Sequence, residues 1–185
     1  MMLSILICSL HKRVNIFTAL MQDLANQAYN KPVEILSEVD SGEMTTGEKR
    51  NKLLQRAEGK YIVFVDDDDY IYPYYIEEIL KASESDPDAM AINGSMTTNG
   101  GNEIQWFIAK DNPYCAVQRN GREVYLRFQN HISPIRGEIA KLFKFPHATL
   151  GEDYVWALAI HKSGLIKTES TIEKPMYIYK YLTNK

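Results

Sequence analysis

A run of four aspartates set directly after a short apolar segment constrains this chain more than any other feature. Tyr61 to Val65 are all aromatic or β-branched, and Asp66, Asp67, Asp68 and Asp69 follow without a break. The apolar part reads as a strand buried on both faces, as in a parallel sheet. The acids then sit at its C-terminal end, where ligands bind in open α/β sheets. Adjacent like charges repel, so they need a cation, many hydrogen bonds or open water. A solvated acidic loop would meet that need, but the abutting buried strand favours a metal site. Hard divalent cations such as Mn2+ or Mg2+ prefer oxygen ligands and keep positions open for substrate phosphates. Alternate residues of an extended segment share a direction. Asp66 and Asp68 are therefore expected to point one way, and Asp67 and Asp69 the other.

The chain upstream alternates between two hydrophobic periods. Leu3 to Ser9 reads as a buried strand. Val14 to about Gln27 reads as an amphipathic helix, with Ile16, Phe17, Leu20, Met21 and Leu24 at helical spacing. Val33 to Val39 reads as a second strand, ended by the turn signal Asp40-Ser41-Gly42. Thr45 and Glu48 form a capping box. The helix they open carries Leu53, Leu54 and Ala57 on one side and Lys49, Arg50, Lys52 and Arg56 elsewhere, with Gly59 expected as its C-cap glycine. The order β-α-β-α-β implies parallel strands, right-handed crossovers and a nucleotide-sized crevice at the strand ends. No glycine-rich dinucleotide loop and no Walker lysine motif is present. Phosphates must be held some other way, and a metal on carboxylates is the obvious substitute.

Downstream, a helix is expected near Pro73 with Ile76, Ile79 and Leu80 inward, then a strand over Ala89–Asn93. A hairpin is expected where Thr98 to Asn102 joins Ser95–Thr98 to Glu103–Ala109. Lys110 to Gly121 reads as irregular, and Val124–Phe128 as a short strand. Helices follow at Gly137–Phe143 and Glu152–Lys162, the latter with Val155, Trp156, Ala159 and Ile160 inward. Strands at Ile166–Ile172 and Met176–Tyr181 come last. At 185 residues the chain suits one domain. A net charge of -3 gives no global pull toward nucleic acid. Two cysteines offer no disulfide framework. No stretch approaches roughly 18 apolar residues, so no membrane span is expected and a cytoplasmic location is the default.

Other residues could carry chemistry. Glu152 and Asp153 lie in the first turn of a helix, where the macrodipole favours acids. The same place also suits a general base near a metal. Asp40 can accept a hydrogen bond from a base N–H or make an Asx turn. Arg50 can meet a diphosphate, pair with the aspartates or simply face solvent. His131 is within possible reach of the site, and His161 is late in its helix.

Taken together, these residues resemble a family 2 glycosyltransferase of the GT-A fold. The likeness runs through Leu3 to Ser9, Gly47 to Asn51, Ala57 to Asp69 and Gly151 to Tyr154. It implies a single α/β domain with a mostly parallel central sheet flanked by helices and a small antiparallel β portion, about 1–95 being the nucleotide-binding half and about 96–185 the acceptor and catalytic half. It also implies an inverting transfer from a nucleotide-sugar donor, usually UDP-linked, to an acceptor hydroxyl, with Mn2+ or Mg2+ as cofactor. In the family pattern the strand-end acids hold ribose and metal, here Asp66 and Asp68 for the metal. The acid after the second strand meets the base, here Asp40, and the catalytic base is Asp153, beside Glu152. Ser9, Arg50, Asp67 and His131 join the donor side. The pattern departs around Asp40, where Glu38 to Gly42 replaces the commoner Asp-Asp-Gly-Ser. A nucleotidyltransferase shares this layout but normally begins with a glycine-rich basic loop, and Ser9 to Arg13 has no glycine. A non-catalytic sugar-nucleotide-binding module is the third alternative.

Overall fold

The computed structural model describes residues 1–181. Three strands, β1 (Leu3–Leu10), β2 (Val33–Asp40) and β3 (Tyr61–Phe64), pair in parallel in the order β2-β1-β3. The crossovers are α1 (Val14–Ala28) and α2 (Thr46–Arg56). Because side chains alternate along a strand, each strand feeds two cores. Leu3, Ile5 and Ile7 of β1 pack with Leu20 and Leu24 of α1, and with Ile76 and Ile79 of α3 (Tyr75–Ala82). Leu6 of β1 and Phe64 of β3 face the other way, against Leu53 and Leu54 of α2 and Trp156 and Ile160 of α5 (Glu152–Ser163). Helices thus cover both faces of the sheet, which is why β3 carries no charged residue.

The rest of the sheet is built from β4 (Tyr70–Ile71), β5 (Ala89–Thr98), β6 (Ile104–Ile108), β7 (Cys115–Arg119), β8 (Arg122–Arg127), β9 (Ile135–Arg136) and β10 (Glu169–Tyr181). A short α4 (Gly137–Ala140) follows β9. The main path is β2-β1-β3-β9-β5-β6-β8-β7, and β10 runs parallel to β5 and antiparallel to β4. This is the mixed α/β architecture expected of the GT-A fold, with helices flanking a mostly parallel centre.

Several expectations are corrected. Ala89 to Thr98 is one unbroken strand, not two segments, and it turns into β6 through Asn99 and Gly100, both at positive φ. Lys110 to Gly121 is not wholly irregular, because Cys115–Arg119 is a strand that returns into β8 through Asn120 (φ 51) and Gly121 (φ 73). Left-handed backbone at both central residues marks the hairpin turn that Asn-Gly pairs favour. The two expected C-terminal strands are one, β10, whose register shifts on either side of Pro175. A proline lacks the N–H a regular ladder needs, so it sits at a bulge.

Gly59 is not a left-handed C-cap. The helix ends at Arg56, and Ala57 is already extended (φ -61, ψ 131). Glycine is required at 59 because a Cβ there would lie 2.4 Å from the Ser4 backbone nitrogen, and the Gly59 N–H donates to Ser4 Oγ at 2.7 Å. In α5, Trp156, Ala157 and Ile160 face inward, whereas Val155 is 51% exposed. Among the described residues no helix is long and apolar enough to cross a membrane.

Candidate active site

The C-terminal ends of β1 and β3 open into a cleft of about 740 Å³. Ser9, Arg13, Lys49, Arg50, Asp66, Asp67 and Asp68 line one side of it, and His131, Glu152 and Asp153 line another part. The expected alternation of the four acids gives way to a turn, in which the Asp69 N–H donates to the Asp66 carbonyl at 3.2 Å. A turn does not keep the two-residue period of a strand. Three acids therefore reach the cleft, and Asp69 is folded back into the protein.

Each acid has its own surroundings. Asp66 accepts from Arg50 Nη2 at 3.1 Å and lies 3.4 Å from His131 Nε2. Asp67 accepts from Ser9 Oγ and from Arg13 Nη1, both at 2.6 Å. Asp68 lies 3.4 Å from Arg13 Nη1. Asp69 accepts from the Tyr177 hydroxyl and the Lys180 N–H, each at 2.8 Å. Burial, and then the nearby Asp66 charge, push its carboxyl up to about 8. Tyr177 also accepts from the Asp66 N–H at 3.1 Å, so one hydroxyl ties both ends of the acidic turn to β10.

Arg50 holds the centre together. Its guanidinium is buried between the rings of Phe64 and Phe145, each centred 5.4 Å away. It reaches Asp66 on one side and Glu152 Oε1 at 3.3 Å on the other. Of the three outcomes open to Arg50, pairing with the acids is the one observed. Its Nε and Nη1 atoms are buried and form no hydrogen bond. Glu152 is itself buried, and burial pushes its carboxyl up against the opposing pull of Arg50. Asp153, one residue on, is 39% exposed at its side chain and opens to the cleft. Its Oδ2 lies 3.5 Å from His131 Nδ1. The imidazole therefore stands between Asp66, at the end of β3, and Asp153, at the start of α5. His161 lies elsewhere, stacked on Phe128 at 4.5 Å.

At the end of β2, Asp40 is buried and bound to Lys49 Nζ at 2.6 Å and to the Met44 N–H at 2.8 Å. Burial alone would raise its carboxyl, but these bonds outweigh it and hold the group below the usual range. Lys49 also donates to the Ser9 carbonyl at 2.9 Å, and Lys49 rather than Asp40 lines the cleft. Sequence reasoning set Lys49 beside Arg50 without giving it a role of its own, and it missed Arg13 as a site residue. Arg13 was detectable, because its basic turn follows β1 directly and so shares a sheet edge with the acids.

A divalent cation can be matched against these donors. Asp66 and Asp68 both reach the cleft, with side chains 29% and 13% exposed. Among the described residues no group of three or more His, Cys, Asp or Glu side chains converges to form a protein-only metal cage. Two carboxylates suit the other kind of site, where water and substrate phosphates complete the shell.

Cys8 also lines the cleft. Burial pushes its thiol up to about 12, against the pull of Arg50. Because the thiolate is the nucleophile, folded protein at pH 8 should leave Cys8 unlabelled by iodoacetamide. Peptide mapping that finds Cys8 modified as fast as in urea would contradict this packing.

The fold was compared with solved structures. TarS of S. aureus superposes with a TM-score of 0.71 at 20% identity, covering 97% of this chain and 37% of that one. A structure of TarS 1–349 in complex with UDP gives 0.71 at 19% identity, covering 97% of this chain and 60% of that one. The complex with UDP-GlcNAc gives 0.69 at 18%, covering 100% and 60%. This chain thus spans well under two thirds of the length of those proteins. A search among curated proteins found no match. The profile described as glycosyl transferase family 2 matches residues 11–148, from the basic turn after β1 to the loop before α5. Because that profile spans most of the sequence, the chain belongs to glycosyl transferase family 2.

Proposed function

We propose that this protein transfers a sugar from a UDP-linked donor to an acceptor hydroxyl, with inversion at the anomeric carbon and dependence on Mn2+ or Mg2+. The observation that carries this is the position of His131, 3.4 Å from Asp66 and 3.5 Å from Asp153. A metal-type acid and a base-type acid, distant in sequence, thereby share one cleft. Family membership supports the reaction class, and the complexes of TarS with UDP and UDP-GlcNAc support the donor class.

In this reading Asp153 accepts the proton of the acceptor hydroxyl. The acceptor oxygen bonds to the anomeric carbon from the face opposite the diphosphate. The bond from that carbon to the phosphate oxygen breaks, and the nucleoside diphosphate leaves with the electron pair. Asp66 and Asp68 would hold the divalent cation, whose positive charge would offset the negative charge growing on the departing diphosphate. Arg50 keeps Asp66 oriented, and Ser9 and Arg13 do the same for Asp67. Lys49 of α2, steadied by Asp40 at the end of β2, faces the donor.

Titration calorimetry with UDP, with and without Mn2+, tests the donor half, and hydrolysis of a panel of UDP-sugars tests the chemistry. Cation-dependent binding followed by hydrolysis of at least one donor is expected. Binding with no hydrolysis or transfer would mark a non-catalytic module, and no binding at all would end the sugar-transfer account.

A further inference from the structure

The cleft is electrically lopsided. On the side of β1 and β3, the cations Arg13, Lys49 and Arg50 are each paired with a carboxylate. The part formed by β5, β6, β8 and β10 is largely aromatic and apolar, with Trp106, Tyr125 and Tyr179 among its residues. Among the described residues one cation stands there, Arg127 of β8. Its guanidinium lies 4.1 Å from the centre of the Tyr114 ring and 4.8 Å from that of Tyr125. Nη1 donates to the carbonyls of Cys115 and Leu126. Among the described residues no carboxylate lies within ion-pair distance of it. Arg127 is thus a positioned charge, set over two aromatic rings, whose remaining N–H groups meet no anion among the described residues.

The rim beside it is exposed and also aromatic. Tyr114 and Tyr154 meet edge to face at 4.9 Å and are 47% and 40% exposed. Tyr154 directly follows Asp153, so this aromatic surface adjoins the carboxylate assigned to the acceptor's proton. Aromatic faces suit the C–H faces of sugar rings, and a stacked guanidinium suits planar recognition of carboxylate or phosphate.

We infer that the acceptor is an anionic carbohydrate, whose ring rests on Tyr114 and Tyr154 while its carboxylate or phosphate meets Arg127. This rests on the sugar-transfer reading above, because it takes Asp153 as the point where the acceptor hydroxyl must arrive. The charge also has a role against Asp153, which would repel an anionic acceptor and which Arg127 offsets.

The test uses the full chain with Mn2+ and whichever UDP-sugar it hydrolyses fastest. Methyl glucoside, glucuronate and glucose 6-phosphate serve as acceptor probes. Half-saturation by at least one anionic probe is expected roughly tenfold below that of the neutral one, the size of one charge-assisted hydrogen bond. Whether glucuronate or glucose 6-phosphate gains more identifies a carboxylate or a phosphate as the group recognised. Arg127→Gln should close the gap between charged and neutral probes, and Arg127→Lys should restore part of it. A merely structural defect would weaken all probes alike and leave their ratio unchanged, which would overturn the assignment. Equal use of neutral and anionic probes by the unaltered protein would also overturn it, with the donor reaction intact. A chain that neither binds UDP nor hydrolyses a donor fails at the earlier step and takes this inference with it.

Discussion

Asp153→Asn is expected to lower sugar transfer by about a thousandfold while leaving Mn2+-dependent UDP affinity near that of the unaltered protein. The substitution keeps the shape of the side chain and removes its capacity to take a proton at neutral pH. Asp153 opens to the cleft and lies 3.5 Å from His131 Nδ1. The groups proposed to hold the donor lie on β1, α2 and the acidic turn, so the variant should retain them. Calorimetry and initial-rate transfer assays on the same preparation separate the two effects. Turnover within a few-fold of the unaltered enzyme would remove Asp153 from the role. The neighbouring Glu152→Gln tests the contrast, since Glu152 is buried against Arg50. It should act on stability and alignment rather than on proton transfer.

Arg50→Met is expected to give the largest loss of stability, about 3–5 kcal/mol by urea unfolding. The guanidinium is buried between Phe64 and Phe145 and bridges Asp66 to Glu152. Without it, Glu152 is a buried carboxylate lacking its cation. Burial already raises that carboxyl in the intact protein, and Arg50 is what opposes the rise. A group whose folded pKa is raised contributes stability that is fully present below its unfolded value and is lost as pH rises through the folded one. The deficit of Arg50→Met should therefore be smaller near pH 5 and larger near pH 8. Adding Glu152→Gln to the same chain should recover part of the loss and flatten its pH dependence. A deficit independent of pH, unaffected by the second substitution, would show that aromatic packing rather than charge is what Arg50 supplies.

Local pattern carried the organisation of the first half because the relevant forces there are local. β3 is buried on both faces, so its run of apolar residues needs no context to be read, and the acids follow it in sequence. The capping box of Thr45 and Glu48 is equally self-contained, and both of its hydrogen bonds form. Lys49 shows the limit. On a helix face it resembles any solvated lysine, and only the arrival of Asp40 and the Ser9 carbonyl makes its burial favourable. The strand Cys115–Arg119 was missed because an edge strand half open to water carries little hydrophobic signal, yet the Asn120-Gly121 turn marked it. Arg127 gave no signal in advance, since its meaning depends on Tyr114 and Tyr125 closing around it from other segments.

The hydroxyl of Tyr177 has a consequence for the order in which the protein matures. It fastens Asp66 and Asp69 to a strand that is made more than a hundred residues after them. During synthesis β1, β2 and β3 can emerge and collapse early, but the acids that follow β3 lack this clasp until Tyr177 has left the ribosome. A nascent chain halted before that point would carry every acid named here and still be unable to set them in register.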